Sequence, residues 1–137
     1  MNKHPYLRAY LAGIACPTVF LLIVVAGYTI IRYVYNVPIP IERVIMFPMA
    51  VVPNLWGLWN ILFVAYRERT KISIGLHGAA LPFLLAPLGM AMTGILNFSI
   101  PHFALTIFPF AAPVALIVYY LAWKYLVGFL NAELGIA

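Results

Sequence analysis

Charge is scarce in this chain. Only 8% of its 137 residues are Asp, Glu, Lys or Arg, and the three acidic ones are Glu42, Glu68 and Glu133. Soluble domains carry roughly a quarter charged residues. A chain this short cannot hide a 66% apolar composition inside a water-soluble core, because small domains bury too little of their surface. A soluble enzyme, a nucleic-acid-binding module and a disordered regulator are excluded together. Cys16 is the only cysteine, so no intramolecular disulfide forms. Strict alternation of apolar and polar residues is missing, which leaves a membrane β-barrel without support. No paired carboxylates, nucleophile motif or glycine-rich phosphate loop occurs. The expectation is a non-catalytic protein with no cofactor and no metal.

What the chain does have is apolar length, with a mean hydropathy of +1.04. Uncharged runs extend from Ala9 to Ile31, from Val44 to Tyr66 and from Ile72 to Trp123. A helix crosses a hydrocarbon core of about 30 Å with about 20 apolar residues. The first two runs make one crossing each and the third makes two, divided at the turn-like Asn97-Phe98-Ser99-Ile100-Pro101-His102. The fold expected is all-α and integral to a membrane, a single four-helix domain with spans about 8–35, 41–66, 72–97 and 102–127. Backbone groups in lipid must be paired within such helices.

Orientation follows from Lys and Arg placement. With four spans, Lys3, Arg8, Arg67, Arg69, Lys71 and Lys124 share a side with both termini, whereas only Arg32 and Arg43 lie opposite. Both termini are therefore expected to be cytoplasmic, in the inner membrane if the source is bacterial. The net charge of +5 is then a topology signal with attraction to lipid headgroups, and no nucleic-acid partner is implied. Tyr6, Tyr10, Tyr66, Tyr119, Tyr120, Trp123 and Tyr125 fit an aromatic belt on that side; Tyr33 and Tyr35 fit the opposite one. Gly13-Ile14-Ala15-Cys16 resembles a lipoprotein cleavage site, but the apolar run continues well beyond Cys16, too far for a signal peptide. The segment after residue 127 reads as a frayed or interfacial helix.

Laying Asn36 on Asn97 brings Ile39 onto Ile100, Pro40 onto Pro101, Phe47-Pro48 onto Phe108-Pro109 and Ala50 onto Ala111. One residue out of step, Gly13, Leu22 and Gly27 meet Gly75, Leu84 and Gly89. Two readings stand. One is a tandem pair of parallel helical hairpins related by an axis along the membrane normal. The other is that outer turns favour Asn and Pro in any case. Under both, Pro40 and Pro101 start helices where no N–H donor is needed, and Asn36 and Asn97 end the preceding helices in the left-handed conformation.

Prolines also fall inside the spans, at Pro17, Pro48, Pro53, Pro82, Pro87, Pro109 and Pro113. Each removes a backbone hydrogen bond and predicts a kink. Pro48 and Pro109 fall ~12 Å below the outer boundary, near the midplane. Broken helices at matched depth point to a transporter's binding site; the plainer reading is that membrane helices tolerate proline.

The most polar intramembrane segment is Pro53-Asn54-Leu55-Trp56-Gly57-Leu58-Trp59-Asn60. Helical spacing puts Trp56, Trp59, Asn60 and Phe63 on one face and Asn54 and Gly57 on another. The amides and indoles either glue helices together or line a pocket for an uncharged or weakly polar solute. Asn54, Trp56, Trp59, Asn60, Pro48 and Pro109 are thus the candidate ligand-binding residues. Gly75 with Ala79, and Gly89 with Thr93, are small-residue pairs that let helices approach closely. His77 and His102 fall on opposite sides of the bilayer and cannot share a ligand sphere; a pair with His4, or one across an oligomer, stays open.

Two functions follow as expectations. The first is an oligomeric transporter or channel-like protein for a small uncharged or weakly polar solute. A single four-helix unit is too thin to enclose a wide path, so this reading requires a homo-oligomer. The second is an accessory or scaffold subunit of a larger membrane protein complex, because no charge lies at mid-membrane and the loops are minimal.

Overall fold

The structure is a computed structural model that describes residues 3–38, 41–97 and 102–136; the side chains at 43, 46–48 and 103 lie outside that description. Helix α1 (Pro5–Val34) opens with a proline in its first turn, where the missing N–H leaves no bond unmade. It runs unbroken through Pro17. Asn36 ends it with φ 57°, and the Val37 N–H donates back to the Ile31 carbonyl at 3.4 Å. Short helix α2 (Ile41–Val44) leads through a π-helical stretch, Ile45–Ala50, into α3 (Val51–Thr70). Lys71 closes α3 in the left-handed conformation, φ 53°.

Ser73 starts α4 (Ile74–Ala80) by accepting the Leu76 N–H. Pro82 then opens α5 (Pro82–Ile95), so the third rod is broken at Leu81. Asn97 ends it with φ 54°. The left-handed termination expected at both asparagines is therefore present at both, and it follows from their tolerance of that conformation. The helix-starting role expected of Pro40 and Pro101 falls outside the described residues. The fourth rod comprises α6 (His102–Leu121), a second π stretch at Ala122–Val127, and α7 (Gly128–Glu133).

The architecture is all-helical, with no strand among the described residues. Three helical stretches are long and apolar enough to cross a membrane: Pro5–Val34, Ile74–Ile95 and Ala104–Glu133. The rod from Ile41 to Thr70 is not among them; its α3 carries two asparagines and ends in Arg67-Glu68-Arg69. Large apolar side chains point outward, with Phe110 77% exposed, Ile95 73% and Phe83 70%. Water would not tolerate so extensive an apolar surface. Hydrocarbon would.

The two hairpins are built differently. In the first, α1 packs closely against α3, and Ala9, Ala12, Gly13, Pro17 and Leu21 are buried on it. A Cβ added at Gly13 would lie 2.6 Å from the Trp56 carbonyl oxygen and 2.8 Å from the Gly57 Cα, so the backbones touch. In the second, α5 scarcely meets α6 and buries no residue, while α4 grips the fourth rod. Pro48 sits in a π stretch, whereas α6 runs through Pro109 and Pro113 as α-helix; the second π stretch, Ala122–Val127, holds no proline.

Candidate functional site

The fourth rod meets α3 and α4 along a stripe spaced by four: Tyr119, Trp123, Val127 and Asn131. An α turn holds fewer than four residues and a π turn more, so such a stripe drifts in opposite senses in the two. The π stretch at Ala122–Val127 thereby keeps Trp123, Val127 and Asn131 facing inward, and all three are buried. Glycine makes room for them. A Cβ at Gly78 would be driven into the Trp123 ring, and one at Gly75 would come within 2.7 Å of the Tyr120 ring.

Three layers stack along this seam. At the end near the termini, Asn60 and Asn131 exchange side-chain hydrogen bonds at 2.8 and 3.1 Å, and Asn60 Nδ2 also donates to the Ala9 carbonyl at 2.7 Å. Next, Trp59 Nε1 donates to the His77 carbonyl at 2.7 Å, and His77 Nε2 donates to the Trp59 carbonyl, also at 2.7 Å. A carbonyl only accepts, so His77 carries its proton on Nε2. The two rings stack 4.8 Å apart. In the third layer the Trp56 ring rests between Tyr119, centroids 5.1 Å apart, and Trp123, 5.3 Å.

That third layer is incomplete in hydrogen bonding. Among the described residues, Nε1 of Trp56 and Nε1 of Trp123 are buried with no partner. The Tyr119 hydroxyl lies beside the Trp56 indole without a well-formed bond. Both side chains border a cavity of about 380 Å³ between α1, α3 and the fourth rod, whose wall includes Cys16, Pro17 and Phe20. Tyr119 also borders a cleft of about 520 Å³ between α5 and α6, lined by Phe83, Pro87, Gly89 and Phe108 among others. The two spaces adjoin at this tyrosine.

The six expected binding residues do not form one pocket. Trp56 lines the cavity. Asn60 and Trp59 are consumed by the inter-helix bonds just described. Asn54 is on the outer side of α3, where it accepts from the Tyr10 hydroxyl and donates to the Ala50 carbonyl at 2.5 Å. Pro109 is exposed on α6, and Pro48 lies in the π stretch with its side chain outside the described residues. Of the small-residue pairs, Gly75 is buried at the α4 seam with Ala79 half-buried beside it; Gly89 borders the α5–α6 cleft, and Thr93 donates to the Met90 carbonyl at 2.6 Å. No group of three His, Cys, Asp or Glu that would hold a metal occurs among the described residues.

Sequence reasoning missed Tyr119, Cys16, Trp123 and Asn131. Trp123 is wholly buried, not part of an interfacial belt. The segment after residue 127 is also not frayed: α7 continues the fourth rod, Ile136 beyond it is 3% exposed, Arg8 donates to the Leu134 carbonyl at 3.1 Å, and Arg67 donates to the Ile136 carbonyl. The Arg8 guanidinium thus satisfies a carbonyl that the helix end leaves open, and Arg67 pins the turn beyond it. The four-residue stripe was the signal that would have found Tyr119, Trp123 and Asn131; no pattern in the chain singles out Cys16.

Fold and site together define a helical protein with three helices compatible with membrane insertion and a largely apolar pocket that opens between its helices. No protein-family model, curated protein or solved structure matches the chain.

Proposed function

We propose that this is a non-catalytic multi-pass membrane protein that acts as a homo-oligomeric, channel-like transporter for a small uncharged or weakly polar solute. The reading has four crossings with both termini cytoplasmic, the rod from Ile41 to Thr70 supplying the second. In a bacterium it resides in the cytoplasmic membrane. The observation that carries it is the cavity beside Trp56 and Tyr119, whose apolar wall is bordered by a phenol, with the Trp56 indole N–H buried behind it without a well-formed bond. A buried donor without a partner disfavours the empty state and favours a ligand that accepts its hydrogen bond. A lone chain has Trp56, Trp123 and Leu81 filling its centre, so a continuous path requires more than one copy.

Flux of glycerol, acetamide and urea into proteoliposomes tests the reading. Saturable uptake of at least one of them that falls in Tyr119→Phe, which keeps its ring and loses one polar atom, is expected; Trp56→Phe should lower it too, but it also removes the five-membered part of a packed indole. Uptake no faster than in protein-free vesicles across the panel overturns it. Asn60 is a poor probe, because its loss disturbs the helix seam directly.

A second reading, an accessory or scaffold subunit of a larger membrane complex, draws on the α5–α6 face. Phe83 and Phe108 are exposed at the open cleft, and Phe110 and Val114 are exposed elsewhere on α6. Native mass spectrometry after mild detergent extraction separates the two: a stoichiometric foreign subunit supports the scaffold, and a homo-oligomer supports the transporter.

A further inference from the structure

At the end of the bundle where the termini meet, a groove of about 430 Å³ opens between α3, the start of α4 and the fourth rod. Its lining is two-faced. Arg67, Lys124, Ser73 and Asn131 supply polar groups, while Phe63 and Ile72 supply apolar wall. The two cations come from different rods, and among the described residues neither has a carboxylate within ion-pair distance; the ion pair there is Arg32 with Glu42, at the other end. Both are held in place. One Arg67 nitrogen is anchored on the Ile136 carbonyl, which leaves the rest of its five-donor fork for another acceptor. The Lys124 ammonium lies over the rings of Tyr120 and Tyr125, 5.8 and 5.3 Å from their centroids.

Two cations with no carboxylate between them among the described residues attract a phosphate. An apolar wall beside them suits the glycerol backbone and first methylenes of a lipid better than a free ion. From this geometry we infer that the groove is a site for the phosphodiester headgroup of an anionic phospholipid, gripped by Arg67 and Lys124. It is independent of the Trp56 cavity, and either assignment stands without the other.

The test is native mass spectrometry of the full-length protein in detergent, titrated with dioleoyl phosphatidylglycerol. Lys124 is exposed, so Lys124→Gln leaves the fold intact. It is expected to weaken lipid binding about tenfold, the worth of one charge-assisted contact, and Lys124→Arg to restore it. Lys71→Gln removes a charge at the same end but outside the groove and is expected to change binding by less than about twofold. Equal losses in Lys124→Gln and Lys71→Gln, or no loss in either, overturn the site. A parallel arm with inorganic phosphate distinguishes the source: displacement of the lipid by millimolar phosphate overturns the lipid assignment, and its failure to compete supports it.

Discussion

Asn60 and Asn131 close a reciprocal amide pair across 71 residues of chain, and neither side chain is more than 1% exposed. Each satisfies the other, and Asn60 also holds the first helix through the Ala9 carbonyl. Replacing either by Ala leaves the partner's amide buried and unpaired. Asn60→Ala and Asn131→Ala should each destabilise by about 1–2 kcal/mol, measured by thermal or denaturant unfolding in detergent. The double variant should lose clearly less than the sum. Additive losses would mean that the pair is not coupled.

Glycine tests the contact between the first and third helices with opposite signs. Gly13→Ala pushes a methyl into the α3 backbone and should lower stability by about 1–3 kcal/mol. Gly27 has nothing within 4 Å of an added Cβ, so Gly27→Ala should raise stability by about 0.5–1 kcal/mol through helix propensity alone. Melting temperatures moving the same way in both variants would contradict the close crossing.

The chain end provides a third test. Ile136 is 3% exposed and Phe129 is 59% exposed. Ile136→Ala should cost about 2 kcal/mol or more, and Phe129→Ala little, as read from unfolding followed by tryptophan fluorescence. A null effect at Ile136 would return the segment after residue 127 to a frayed tail.

Topology is checked by labelling. In a Cys16→Ser background, Pro38→Cys should react with an impermeant maleimide added outside intact cells, and Thr70→Cys should react only after permeabilisation. The reverse pattern would invert the orientation.

Much of the fold was legible because it rests on short-range rules. Asn36 and Asn97 ended their helices as expected, since tolerance of positive φ belongs to the residue itself. Three helices long and apolar enough to cross a membrane followed from the apolar runs; the rod from Ile41 to Thr70 is not among them. The site was less legible. Trp56, Trp59 and Asn60 all turn inward as their spacing predicts, yet only Trp56 lines a cavity, because the partners of the other two come from distant chain. Asn60 is satisfied by Asn131, and Trp59 by His77. Trp123 read as an interfacial anchor for the same reason: nothing near it in sequence announces that Gly78 has cleared a space for its ring.

What the amino-acid order determined alone was solvent and secondary structure: apolar length and the near-absence of charge dictate helices suited to lipid, and Asn36 and Asn97 mark two of their ends. Tertiary packing alone decided which polar groups are consumed and which remain on offer. A hydrogen bond needs two groups at one point in space, and the chain brings Asn131 to Asn60, yet leaves the Trp56 indole facing a hollow, only once it has folded.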